Sequence, residues 1–250
     1  MPRTLVGDLA GHVGEEVTEP ASEIEAVLQQ GAPVESAVTV VGTVVDNPAV
    51  KLGGLELIPT SVQVVNRAEP SLPIRQDSGI DHRLDWRFLD LRHPARHLIF
   101  DVQSAFERGL REFAFAEGAT EMHTPKLMGT ASESGAEVFA VKYFDTWAYL
   151  AQSPQFYKQM AISGGFDKFF EIGPVFRAEP SFTSRHATEF TGIDVEIAWI
   201  DSVENVMCFE ERMLTHALTL VRDEHGEAIQ THCGVEVVVP DLPFPRLTRR

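Results

Sequence analysis

A chain of 250 residues with 21 Lys and Arg against 37 Asp and Glu has a formal net charge of −16, which excludes a uniformly basic nucleic-acid coat. A local basic patch for RNA stays open, because affinity depends on where the cations sit. With 44 % hydrophobic and 23 % charged residues the composition is that of a globular protein, one able to bury about 70 % of its unfolded surface. Cys208 and Cys233 are the two cysteines, too few for a disulfide framework or a Cys-rich zinc site; they fit a reducing, cytoplasmic setting. No apolar run approaches the ~18 residues of a membrane span, and the first residues lack a signal-peptide core.

To about Ala68 the chain is poor in cations and rich in β-branched residues, and residues 1–68 are expected to form a small β-rich module. Ser22 to Gly31 predicts a short helix, with Ser22 as N-cap, Glu25 at the capping-box position and Gly31 past the end. Val38 to Val45 alternates and predicts a strand, and Asn47-Pro48 predicts a turn. Leu55 to Ile58 and Ser61 to Val65 predict two further strands, split by Pro59. Residues 69–97, with three prolines and the charge cluster from Asp81 to Arg92, are expected to be a structured linker.

Over residues 98–117, Ile99, Val102, Phe106, Leu110 and Phe113 recur at helical spacing, and Gly118 closes the helix. Thr120 to Leu127 predicts a strand broken by Pro125. A second long helix is expected from about Ser202 to His225, started by Asp201 and Glu204, ended before Gly226 and carrying Cys208 on its apolar side. The pattern between these helices is mostly strand-like, so the expected class is α+β with an antiparallel sheet flanked by helices.

Two segments carry chemistry. In Gln152-Ser-Pro-Gln-Phe-Tyr-Lys158, Ser153 suits an N-cap and Pro154 the first helical position. Gln155 and Lys158 then share a face of the first turn, where an amide and an ammonium can hold a carboxylate. The same spacing also suits an ordinary capped surface helix. The second segment pairs Phe169 to Glu179 with Glu189 to Trp199. Ile193, Val195, Ile197 and Trp199 are expected to face the core, while Phe190, Gly192, Asp194 and Glu196 face the other way. A hairpin would bring Arg177, Glu179, Phe190 and Asp194 to one surface. That set suits a nucleotide, with the ring on the base and the guanidinium on phosphate, although a cross-strand ion pair is the plainer account. His93 and His97 lie four apart, but Pro94 and the lack of a third ligand favour a helix-start contact or a surface pair over a metal site, and no metal site is expected.

Phe176-Arg-Ala-Glu179, the loop with Arg185 and His186, and Phe190 through Asp194-Val-Glu196 resemble motif 2 of the class II aminoacyl-tRNA synthetases. Gly118-Ala-Thr-Glu-Met-His-Thr-Pro125 resembles their motif 1. The run from Arg83 to Arg92 is similar to the linker of the aspartyl enzymes, Gln152 to Lys158 to their aspartate-recognition helix, and Ser132-Glu-Ser-Gly-Ala-Glu137 to their mobile flipping loop. Five motifs in order, across residues 34–250, make the resemblance to the archaeal or non-discriminating branch of aspartyl-tRNA synthetases specific.

The resemblance implies a partial OB-fold-like anticodon module at 1–68, a linker at 69–97 and the N-terminal part of a class II catalytic domain at 98–250. It implies that aspartate attacks the α-phosphorus of ATP and that the aspartyl group then passes to tRNA. Arg177 would clamp the α-phosphate, Glu179 would contact the adenine side, and Phe190 would stack on the base. Gln155, Lys158 and Asp194 would hold L-aspartate, with Glu133 on its ammonium. Arg185 and His186 would face the triphosphate or the tRNA end, and Pro125 would lie at a homodimer interface. Two departures are expected: the OB module is shortened, and motif 3 with the carboxylates that hold Mg²⁺ finds no equivalent. A truncated paralogue that binds nucleotide, amino acid or a protein partner without aminoacylation is the alternative.

Overall fold

The computed structural model describes residues 33, 35–49, 54–75, 77–130, 138–180, 183 and 186–247. The helix expected from Ser22 to Gly31 therefore lies outside the described residues. The chain divides into two compact units, one ending at Arg87 and one beginning at Phe88, so the boundary falls within the segment read as linker.

In the first unit, β1 (Ala37–Asp46) pairs antiparallel with β2 (Leu55–Asn66). The turn between them is tied by Asn47, whose N–H donates to the Gly54 carbonyl at 2.7 Å and whose side-chain oxygen accepts from the Ala49 N–H at 3.1 Å. Pro59 does not split β2 into two strands. It sits opposite Gly42, where the register shifts, so the ladder absorbs the missing N–H at an irregularity. The approach is close enough that a Cβ on Gly42 would lie 2.2 Å from the Ile58 carbonyl oxygen. Two short helices follow, α1 (Ile80–Asp85) and α2 (Arg87–Asp90).

The second unit is built on two long helices and two small sheets. Helix α3 (Pro94–Ala116) starts four residues before the expected position. Pro94 supplies the preset φ of a first helical residue, and the His93 ring accepts from the Ala95 N–H at 3.3 Å. His97 instead faces the Asp101 carboxylate at 3.7 Å. The helix ends at Gly118, whose φ of +78° is the left-handed value that favours glycine.

Pro125 divides the segment after α3 into strands of different sheets. β3 (Thr120–Glu121) pairs in parallel with β7 (Lys168–Phe176), which pairs antiparallel with β8 (Glu189–Ile197). β4 (Leu127–Met128) joins β6 (Thr146–Leu150), which pairs with β5 (Ala140–Tyr143). The α+β class holds, with a short parallel edge on the otherwise antiparallel β7–β8 sheet. Helix α4 (Gln155–Ser163) packs on β7 and β8.

Helix α5 (Val203–Cys233) runs past the expected end at Gly226 and closes at Gly234, φ +68°. Its cap is Ser202, whose N–H donates to the Asn205 side-chain oxygen at 3.0 Å. It lies antiparallel to α3, with Phe209, Met213 and Ala217 against Leu110, Phe113 and Ala114 and with Phe170 and Ile172 of β7 beneath. The buried positions 209, 213, 217 and 221 define one stripe, and Cys208 lies off it, exposed rather than on the apolar side. Ile193 and Trp199 also leave the expected core. Ile193 is 38 % exposed, and Trp199 stands two residues beyond the end of β8, where strand alternation no longer applies. Its φ is +58° and its indole N–H donates to Asp167 at 2.9 Å. Among the described residues no helix is long and apolar enough to cross a membrane.

Candidate active site

The register of β7 and β8 sets two faces. Phe170 and Ile172 point toward α3 and α5, as do Val195 and Ile197. The opposite face carries Glu171, Gly173 and Val175 from β7, paired with Asp194, Gly192 and Phe190 from β8. Glycines opposite each other leave a stretch without side chains in the middle of this face. An aromatic and a cation stand at one end, and an acid–ammonium cluster stands at the other.

At the first end the Arg177 guanidinium lies 5.5 Å from the centre of the Phe190 ring, a cation–π distance. Arg177 stands just past β7, and its N–H donates to the Thr188 carbonyl at 2.9 Å. Strand alternation therefore does not extend to Arg177 and Glu179 as the sequence predicts; both lie in the connection to β8. Phe190 is 39 % exposed, so ring surface remains for a ligand. His186 lies farther along the connection, its ring nitrogen 2.6 Å from the Thr183 hydroxyl.

At the second end α4 brings Lys158 over the sheet. The buried turn Gln152-Ser153-Pro154 leads into the helix, and the Ser153 hydroxyl accepts from the Gln155 N–H at 3.3 Å. The helix begins one residue later than expected, with Pro154 at the cap. Gln155 stands in the first turn, three residues before Lys158. The Lys158 ammonium reaches Asp194 Oδ1 at 3.0 Å and Glu196 Oε2 at 3.3 Å. Burial pushes the ammonium down, but the hydrogen bond and charge of Asp194, with Glu196 behind it, outweigh burial and leave its pKa above the ordinary lysine value. Two of its three donors reach these carboxylates, and the group is built to meet further carboxylate oxygens.

The structure thus brings Lys158 to Asp194 and Arg177 to Phe190. Glu133 and Arg185 lie outside the described residues. Pro125 is exposed, between Thr124 and Lys126. Sequence reading assigned no role to Glu196, although its place in the alternation beside Asp194 was the signal. It also passed over Glu171, whose signal was a carboxylate inside the apolar run Phe169-Phe-Glu-Ile172. Among the described residues no group of three or more His, Cys, Asp or Glu could hold a metal ion.

A family model described as class II tRNA synthetases (D, K and N) matches residues 79–250. The aspartate–tRNA(Asp) ligase of Pyrococcus abyssi is 42 % identical over 240 residues, covering 93 % of this chain and 54 % of that protein. The aspartate–tRNA(Asp/Asn) ligase of Methanopyrus kandleri is 40 % identical over 220 residues, covering 86 % of this chain and 50 % of that protein. The structure of asparaginyl-tRNA synthetase from Pyrococcus horikoshii complexed with asparaginyl-adenylate matches with a TM-score of 0.75 at 32 % identity, covering 83 % of this chain and 48 % of that one. The aspartyl-tRNA synthetase of Entamoeba histolytica matches with a TM-score of 0.69 at 33 % identity, over 87 % and 48 % of the two chains. The chain spans about half the length of the curated relatives it matches.

Proposed function

Because the chain belongs to the class II tRNA synthetases of the D, K and N group, we propose that it carries the aspartate- and ATP-binding face of an aspartate–tRNA ligase. The observation that carries this reading is the Lys158 ammonium, held between Asp194 and Glu196 at the end of a face whose other end is Arg177 on Phe190. Lys158 takes the side-chain carboxylate of L-aspartate, and Gln155 supports it from the same turn. Glu133 holds the substrate's ammonium. Phe190 stacks on adenine, Glu179 contacts the adenine side, and Arg177 neutralises charge on the α-phosphate as the aspartate carboxylate attacks it. Arg185 and His186 face the triphosphate or the tRNA end. Mg²⁺ accompanies ATP in the activity implied by the resemblance; among the described residues no group of three or more His, Cys, Asp or Glu gathers to hold an ion, and no step runs through the metal. With a net charge of −16, any contact with tRNA rests on a local group of cations. Pro125 is the expected point of contact in a homodimer. No observation at the site favours the non-aminoacylating alternative.

Titration calorimetry of the chain with L-aspartate and with ATP tests this reading. Both are expected to bind, and Lys158→Ala is expected to abolish aspartate binding while ATP binding persists. Equal aspartate affinity in Lys158→Ala, or no aspartate binding by the unaltered chain, overturns it.

A further inference from the structure

Glu171 is the most deeply buried carboxylate among the described residues, 2 % exposed; it pairs with Asp194 across the strands, and no contact of its own with substrate is proposed. Its Oε1 accepts from the Thr124 N–H at 2.8 Å, and its Oε2 accepts from the Thr124 hydroxyl at 2.7 Å. The Lys126 ammonium lies 3.0 Å from Oε1 and also donates to the Thr124 hydroxyl oxygen at 3.2 Å. One carboxylate on β7 therefore grips both residues that flank Pro125. The segment it grips leads directly to the amino-acid end of the site. The Lys126 carbonyl accepts from the Ala151 N–H at 3.0 Å, and the Ala151 carbonyl accepts from the Phe176 N–H at 3.0 Å. Gln152, Ser153 and Pro154 follow, all buried, and the Pro154 carbonyl accepts from the Lys158 N–H at 3.0 Å.

We propose that Glu171 is a positioning residue: through Thr124 and Lys126 it fixes the turn from which Gln155 and Lys158 project over Asp194. Its consequence for substrate rests on the reading that Lys158 holds a carboxylate. The physical argument is that a buried ion pair is costly to break from one side. Removing one charge leaves the other desolvated and uncompensated, and the segment carrying it relaxes to rehydrate it. Lys126 is on that segment, so the relaxation passes to Ala151 and the turn after it.

Amide hydrogen exchange of the ligand-free chain decides this without any activity. In Glu171→Gln the amides of Ala151 and Lys158 are expected to exchange about tenfold faster or more, while those of Leu110 and Phe113 in α3 keep their protection. Unchanged exchange at Ala151 and Lys158, or an equal loss in α3, overturns the proposal. Because the two side chains act as a pair, Glu171→Gln combined with Lys126→Met is expected to exchange no faster than Glu171→Gln alone, and additive effects overturn the route through Lys126. Thr124→Val keeps both charges and removes the two hydrogen bonds of the hydroxyl; it is expected to give a smaller increase at the same two amides, and no increase overturns the proposal. For substrate, Glu171→Gln is expected to raise the aspartate Kd about tenfold and leave that for ATP unchanged. If the unaltered chain binds no aspartate, the functional reading falls, while the exchange experiment still decides the positioning role.

Discussion

Lys158 projects from α4 and carries one positive charge between two carboxylates. Its ionised form is favoured in the fold, because the pairing with Asp194 and Glu196 outweighs the burial that opposes it. The folded pKa lies above the ordinary lysine value of 10.5, so the stabilisation is complete below that value and is lost as pH rises through the higher folded one. Thermal denaturation between about pH 9 and about pH 12 is expected to show a falling midpoint that is shallower in Lys158→Met. At neutral pH that variant leaves two carboxylates facing each other and is expected to lose about 1–3 kcal/mol in chemical denaturation. A slope identical in both proteins would mean that other groups dominate the alkaline limb. Arg177 gives a second prediction at the same scale. In a form competent for aspartate-dependent ATP–pyrophosphate exchange, Arg177→Ala is expected to reduce exchange by about a hundredfold or more, and retained exchange removes Arg177 from the chemistry. Lys158 was legible in the sequence, because a helix start fixes the direction of a side chain locally; Arg177 was named from an alternation that stops at Phe176, and it meets Phe190 from the connection beyond the strand. Glu171 was not legible. Its partner Thr124 lies 47 residues away, with Lys126 two residues nearer, and no local pattern announces that they will meet it.

Helices α3 and α5 show why one kind of residue reads differently in two places. Gly109 faces Ala217 so closely that an added Cβ would lie 2.7 Å from the Ala217 Cα, so the glycine sets the separation of the two helices. Gly226 lies inside α5, where an added Cβ would find only the Arg222 side chain, at 3.7 Å. Gly109→Ala is expected to destabilise the chain by about 1–3 kcal/mol, because backbone rather than a flexible side chain must move. Gly226→Ala is expected to stabilise it by about 0.5–1 kcal/mol, because the helical φ is kept and unfolded-state freedom is reduced. Urea unfolding of the two variants checks both signs, and a loss in Gly226→Ala would show that the glycine serves the helix in some other way. The same comparison explains the misread end of α5. A glycine after a periodic run predicts a stop, but one interior glycine costs only about 1 kcal/mol against alanine. The residues after it continue the helix, and Gly234 provides the left-handed turn that ends it. Pro59 misled in the same way, since its missing donor breaks a strand only where the partner cannot shift register. Gly42 allows that shift.

At the scale of the whole molecule the charge imbalance sets the behaviour. The 37 carboxylates outnumber the 21 lysines and arginines by 16, so negative charge stays in excess however the groups pair. Salt acts on these two populations in opposite directions. It weakens surface pairs such as Arg75–Asp77 and Arg222–Asp223, each of which contributes only about 0–1 kcal/mol. It also screens the repulsion among the excess carboxylates, which acts over the whole surface and resists the compact state. The screening length falls from about 30 Å at 0.01 M to about 10 Å at 0.1 M, so repulsion between distant charges is removed first while close pairs are largely kept. The repulsive term is therefore expected to dominate at low ionic strength. The thermal midpoint should rise by a few degrees as KCl increases from about 0.01 M to about 0.2 M, then flatten as the screening length nears the spacing of adjacent charges. The pairs that hold the site, Lys158 with Asp194 and Lys126 with Glu171, are partly shielded from solvent and should change less over that range than the surface pairs. Differential scanning at several KCl concentrations measures this directly. A midpoint that falls from the lowest salt upward would mean that the paired charges, not the excess, govern the stability of the chain.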